Sequence, residues 1–217
     1  MIAHMECLRM SKFLNKALFM REDPKRGVSA PDGSTKARIE RASLRLFAEH
    51  GIDGVSIKDI AKACDLSDGA MYRHFESKEA LARQLFEAIH KRLMGLVKET
   101  LTEGASLEQT VRAVVSAFCE LAETEPSQFA YHLTQRNVFL ARSGDGGADP
   151  SALMARRVAA AMAAGEIPKD DPELKSAMAM GVVMQAGEYR LFGRIRSPLT
   201  GHVDQFVRAV MAVLKTG

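Results

Sequence analysis

The chain has 217 residues, 47% hydrophobic and 26% charged, which suits one small module and one larger one, each with a buried core. Twelve Met, three Tyr and no Trp favour helices over strands. The net charge of +3, spread as +2 over residues 1–33, +1 over 34–103 and zero over 104–217, excludes a strongly basic domain, so any affinity for nucleic acid must come from placed residues.

Residues 1–33 read as a flexible N-terminal extension. Leu8, Phe13, Leu14, Ala17 and Leu18 can line one face of a short helix, followed by a breaker-rich linker from Arg21 to Gly33. Lys25 and Arg26 are expected in a solvated tail, with a basic arm reaching into a DNA groove as the alternative. Met1–Met20 lacks the apolar run of a secretory signal, and nothing in the chain approaches the roughly 20 apolar residues of a membrane span. Cys7, Cys64 and Cys119 are odd in number and far apart, without metal-ligand spacing. They point to a reduced, cytoplasmic compartment, with no metal and no cofactor expected.

From Ser34 the pattern turns helical. Ile39, Ala42, Leu46 and Phe47 fall on one face of a helix that Gly51 ends. Ser56 begins the next, with Asp59 in capping-box position and Ile57, Ile60 and Ala61 as its inner stripe. After a tight Cys64-Asp65-Leu66 connection, Ser67 caps a very short helix running to about His74. Ser77 opens a long one with Leu81, Leu85, Phe86, Ile89, Leu93 and Val97 inside. Ser106 with Gln109 makes a second capping box, and Pro126, Pro150, Pro172 and Pro198 each fall at a first helical turn. The spacing predicts helices near 106–124, 126–142, 150–164, 171–194 and 199–215, with a mobile loop over 143–149. The fold class is all-α: a domain of short helices at 34–80, then a helical-bundle domain at 81–217.

Two short helices with a three- or four-residue connection, the second capped by Ser, make the helix-turn-helix arrangement. Ile57, Ile60, Ala61, Leu66, Met71 and Phe75 supply an apolar seam. Gly69 and Ala70 keep bulk away from the start of the second helix, and Ser56, Ser67, Tyr72 and Lys78 are donors suited to phosphate.

Over about Lys36 to Leu85 the sequence resembles the tetracycline-repressor (TetR) family of bacterial regulators. The resemblance rests on RI..A...LFAE.G (Arg38 to Gly51), S...IA (Ser56 to Ala61) and LS.G..Y.HF.SKE.L (Leu66 to Leu81). It implies that Ser56 touches phosphate and that Ser67, Asp68, Gly69 and Ala70 face the major groove. Arg73 and His74 would lie at the far end of the recognition helix, with Tyr72 and Lys78 clamping the backbone. Asp68 departs from the family, which often has Lys or another neutral-to-basic residue there. Its carboxylate suits a helix N-terminus and repels phosphate, or accepts from a cytosine amino group.

The resemblance further implies a homodimer on a palindromic operator in double-stranded DNA, acting as a repressor released by an unknown small-molecule effector, in the cytoplasm at the nucleoid. The last two helices would supply the dimer interface. Candidate effector-binding residues are His132, Gln135, Arg136 and Phe139, which recur on one helical face, with Met154, Met184, Gln185 and Tyr189. Ordinary core roles are the competing reading for each. A regulator answering to a protein partner, or an activator, is the alternative. Without a Gly-rich phosphate loop, a His-x-x-x-His pair or a Gly-x-Ser-x-Gly elbow, no enzyme is expected, and His132 with Glu188 is the only acid–base pair to consider.

Overall fold

The computed structural model describes residue 22 and residues 27–101, 104–143 and 150–217. The readings for Cys7, the Leu8–Leu18 face, Lys25, Arg26 and the 144–149 loop lie outside the described residues. Those residues form nine α-helices and a short 3-10 helix, with no strand among them. The helices are α1 (Thr35–His50), α2 (Ile57–Ala63), α3 (Asp68–Tyr72), α4 (Lys78–Thr100), α5 (Leu107–Thr124), α6 (Pro126–Ser143), α7 (Pro150–Ala163), α8 (Pro172–Leu191) and α9 (Val203–Lys215), the 3-10 turn being Leu199–His202. Among the described residues no helix is long and apolar enough to cross a membrane.

Serine begins helix after helix, because its short side chain accepts one of the amides that have no intrahelical partner. Ser34, Ser56 and Ser67 sit in extended backbone and accept from the amides of Ala37, Asp59 and Ala70. Ser77 accepts from Ala80 N at 3.0 Å. Pro126, Pro150 and Pro172 are each the first residue of their helix, where a missing N–H costs nothing.

The chain divides into two compact units. The first runs to Lys91 and takes in residues 124–142 and 191–193. It therefore joins the helix-turn-helix to α6, from far along the chain. Ile39, Leu44, Phe47, Ile60, Met71, Leu81, Leu85, Ile89, Tyr131 and Leu191 are its largest fully buried side chains. Phe47 stacks on Tyr131 with ring centroids 5.9 Å apart. The Tyr131 hydroxyl donates to Ala82 O at 2.8 Å, and burial pushes its pKa up. Packing on two sides explains why five consecutive α1 residues, Glu40 to Leu44, are buried where one apolar face was expected.

The second unit holds residues 92–123, 143–190 and 194–217. Its core includes Leu107, Val111, Val115, Cys119, Val158, Ala161, Ile167, Val183, Val207, Val210 and Leu214. Burial pushes the Cys119 thiol up to about 11, which leaves it protonated and inert near neutrality. Charged side chains close the helix ends from a distance. Glu166 accepts from Leu107 N at 2.9 Å, at the start of α5, while also pairing with Arg157 at 3.1 Å. Glu123 takes Arg190 in a two-pronged bond, 2.7 Å on each oxygen, and also accepts from Leu199 N at 2.9 Å. Lys175 on α8 donates to Thr216 O, to Thr216 Oγ1 at 3.0 Å and to Val213 O at 3.4 Å, covering the last carbonyls of α9.

Candidate nucleic-acid interface

The interface is built from the α2–α3 pair upward. Ser56 and Asp59 form a reciprocal capping box, Ser56 N donating to Asp59 Oδ2 at 2.8 Å and Asp59 N to Ser56 Oγ at 3.2 Å. Those bonds, with that of the Ser56 hydroxyl first, hold the Asp59 carboxyl below the usual range. The connection from Cys64 to Ser67 turns on Asp65, whose φ of +53° is a left-handed conformation that Asp tolerates better than most residues. Leu66 N closes the turn on Ala61 O at 2.9 Å.

Only the inner side of α3 is anchored. Ala70 and Met71 are buried with Phe75, while Ser67, Asp68, Gly69, Tyr72, Arg73 and His74 are exposed. Tyr72 is 59% exposed, unusual for so large an aromatic ring. Ser56 is exposed too, and Lys78 is half-buried with its ammonium 3.7 Å from Glu79. Eight of the nine residues singled out for DNA thus keep access to solvent. Ala70 does not: its side chain turns inward to the seam, and its amide donates to Ser67 Oγ at 3.2 Å. Ile57 and Leu66, expected in the seam, are half-buried. A Cβ placed on Gly69 meets nothing within 4 Å, so this glycine leaves the outer face of α3 open.

Two residues outside the motif shape it. Arg38 on α1 donates to the carbonyl of Cys64, and the Cys64 thiol lies 3.6 Å from Arg38 O, so α1 grips the turn from behind. The Lys36 ammonium sits 5.6 Å from the centroid of the Phe75 ring. In the sequence Lys36 and Arg38 mark only the start of the family-like stretch, with no role assigned to either. A basic residue one helix away carries no local signal of what it will reach.

The candidate effector residues fall in both units. In the first, His132 and Phe139 stack on Phe86 with centroids 5.2 and 4.8 Å away, and His132 Nε2 lies 3.2 Å from His90 Nδ1. Gln135 and Arg136 are half-buried on the same helix. In the second, Met154, Met184 and Tyr189 are half-buried, and the Arg194 guanidinium lies 4.1 Å over the Tyr189 ring. Gln185 is exposed and donates to Glu188 at 2.8 Å. Among the described residues no three His, Cys, Asp or Glu side chains gather as a metal site.

A capped two-helix motif with an inward-anchored, outward-open second helix is the module of a helix-turn-helix regulatory protein. Residues 39–85 match the family described as bacterial regulatory proteins, tetR family. That match is confined to residues 39–85, and this module is what the chain shares with the family. Among curated relatives, the transcriptional repressor KstR2 of Rhodococcus jostii (strain RHA1) is 30% identical over 87 residues, which is 40% of this chain and 43% of that protein. The chain thus aligns with less than half the length of that relative.

Solved structures extend the likeness of fold. The ketosteroid transcriptional regulator KstR2 of Mycobacterium tuberculosis superposes with a TM-score of 0.75 at 16% identity, covering 88% of this chain and all of that one. AibR, solved with isovaleryl coenzyme A and operator DNA, gives 0.67 at 19% identity, covering 81% of this chain and 97% of that one.

Proposed function

We propose that this protein is a homodimeric transcriptional repressor that binds a palindromic operator through α3 and releases it when a small organic effector binds the larger helical domain. The observation that carries the reading is the outer face of α3. Five polar or glycine positions and an exposed Tyr72 surround a helix whose inner side is locked by Ala70 and Met71. Helix N-termini at Ser56 and Ser67 add positive potential beside it.

The dimer is supported by α8, where Leu174 and Met178 are 54% and 49% exposed one turn apart, next to exposed Gly181. An apolar row of that kind with a small residue suits close pairing with a second copy. The effector is supported by relatives: KstR2 is named a repressor, and AibR was solved with an acyl coenzyme A together with its operator. An acyl or steroid-like ligand is therefore the first class to test. A cytoplasmic place at the nucleoid follows from the same reading.

The deciding experiment is salt-dependent binding of the full chain to DNA flanking its own gene, beside Tyr72→Ala and Lys78→Ala. Saturable binding that weakens with salt and in both variants is expected. Binding no tighter than to random DNA would overturn the reading of α3 at that site. Addition of acyl coenzyme A esters should then lower affinity by on the order of 5- to 150-fold if the two sites are coupled in the usual range.

A further inference from the structure

Glu22 and residues 28–30, which precede the helix-turn-helix, are held by the helices that follow. Glu22 is buried, its side chain only 4% exposed. One carboxylate oxygen accepts from Ser127 N and the other from Ser127 Oγ, both at 2.6 Å. Ser127 is the second residue of α6, so Glu22 caps that helix from 105 positions upstream. Arg41 of α1 lies 3.4 Å from Glu22 and 3.0 Å from Glu125, whose carboxylate also accepts from Gln128 at 2.9 Å. With its own Glu125 turned to Arg41 and Gln128, α6 draws an acceptor for Ser127 N from elsewhere in the chain.

A second grip lies a few residues on. Glu40, fully buried on α1, accepts from the amides of Val28, Ser29 and Ala30 at 2.7, 3.0 and 3.1 Å, and from the Ser29 hydroxyl. Four donors on one buried carboxylate make a charge-assisted cradle that fixes the backbone of 28–30. Gln84 of α4 donates to the same Ser29 oxygen at 3.1 Å. The two grips thus join α6 to α1 and α4 to α1. Arg38, one turn before Arg41 on α1, holds the turn that aims α3.

We propose that Glu22 and residues 28–30 form a clasp that fixes α6 and α4 against α1, and that operator affinity depends on it although the clasp touches no DNA. Glu22 and Glu40 are then positioning residues for recognition. The proposal rests on the reading that α3 binds DNA, and its test separates the two.

Full-length Glu22→Ala, the conservative Glu22→Gln, Ser127→Ala and the Glu22→Ala/Ser127→Ala pair would be compared at a temperature where circular dichroism reports them folded. Two readouts are needed: DNA affinity across a salt series, and amide hydrogen exchange. Loss of the clasp should lower affinity about fivefold to tenfold, the scale of one lost cap, with the slope against salt unchanged because no phosphate contact is removed. The double variant should be no weaker than Glu22→Ala alone. Exchange should rise at Ser127 and also at the Cys64–Leu66 turn. Folded variants with wild-type affinity, or faster exchange confined to Ser127, would overturn the clasp as a positioning device. Absence of DNA binding by the wild type would instead count against the α3 reading, and the exchange pattern would still decide the clasp.

Discussion

Two helix beginnings in this molecule solve one problem in opposite ways. The start of α2 is exposed and self-sufficient: Ser56 and Asp59, three residues apart, satisfy each other's backbone. The start of α6 is buried and takes its acceptor from Glu22, far upstream. Both solutions recur along the chain, and Ser106 with Gln109 and Asp171 also cap their helices locally. Ser34, Ser56, Ser67 and Ser77 cap the first four helices from within. Glu22, Glu123, Glu166 and Lys175 close helix ends elsewhere from a distance. A local cap stabilises its helix before any tertiary contact forms. A remote charged cap contributes only once the fold is complete, and it leaves an uncompensated charge if its partner is lost.

The largest expected effect follows from that asymmetry. Glu123→Gln leaves the Arg190 guanidinium buried without its counter-charge and weakens the acceptor for Leu199 N. A loss of about 3–5 kcal/mol is expected from urea unfolding of the full chain. Less than about 1 kcal/mol would show that this remote closure is worth no more than a surface pair. Lys175→Met should cost less, roughly 1–3 kcal/mol, because an apolar chain can fill the slot while the Thr216 and Val213 carbonyls lose a donor. On the local side, Ser56→Ala should cost about 1 kcal/mol, the ordinary value of a serine N-cap.

What was legible divides along the same line. The starts of α1 through α8 follow from serine caps, a capping box at Ser106 and Gln109, and prolines at first turns, whereas α9 begins at Val203 and not at 199 because Leu199–His202 winds as a 3-10 turn. Exposure of Ser56, Ser67, Asp68, Arg73 and His74 follows from their polarity, since such side chains ordinarily stay in water. The family resemblance implies that Ala70 faces the groove, yet its side chain is buried, as are those of Met71 and Phe75. The burial of Glu40 and Arg41 was illegible, since charged residues on a helix are ordinarily solvated and only their partners at 28–30 and 125 explain them. Nor could His132 and Phe139 be known to stack on Phe86, because that ring lies 46 and 53 residues before them in the chain.

Acid titration sharpens the comparison, because the two caps shift in opposite directions. Bonds from Ser56 hold Asp59 below its ordinary pKa, so its stabilising contribution is present above the usual carboxylate range and is lost as pH falls through the lowered value. Burial holds Glu22 above its ordinary value despite Ser127 and Arg41, so its ionised form opposes folding and that cost is relieved as pH falls through the raised value. Asp59→Asn should therefore flatten the loss of stability on acidification, and Glu22→Gln should steepen it. Thermal melts between about pH 3 and 7 would check both. The same change of slope in both variants would break the contrast between exposed and buried caps.

The smallest expected change in stability isolates recognition from folding. Gly69 lies in the first turn of α3, and a methyl group there meets no atom within 4 Å. Its backbone does not require positive φ, so Gly69→Ala should raise stability by a few tenths of a kcal/mol to about 1 kcal/mol through helix propensity. If the open face of α3 meets a DNA groove, the same methyl stands between backbone and base edges. Affinity should then fall roughly tenfold, the scale of one specific contact. Thermal unfolding and DNA binding of the single variant would move in opposite directions. That divergence cannot come from a damaged fold, since the variant is the more stable protein. If both properties instead stay at wild-type values, the N-terminal turn of α3 does not approach the DNA, and recognition would have to centre on Tyr72, Arg73 and His74.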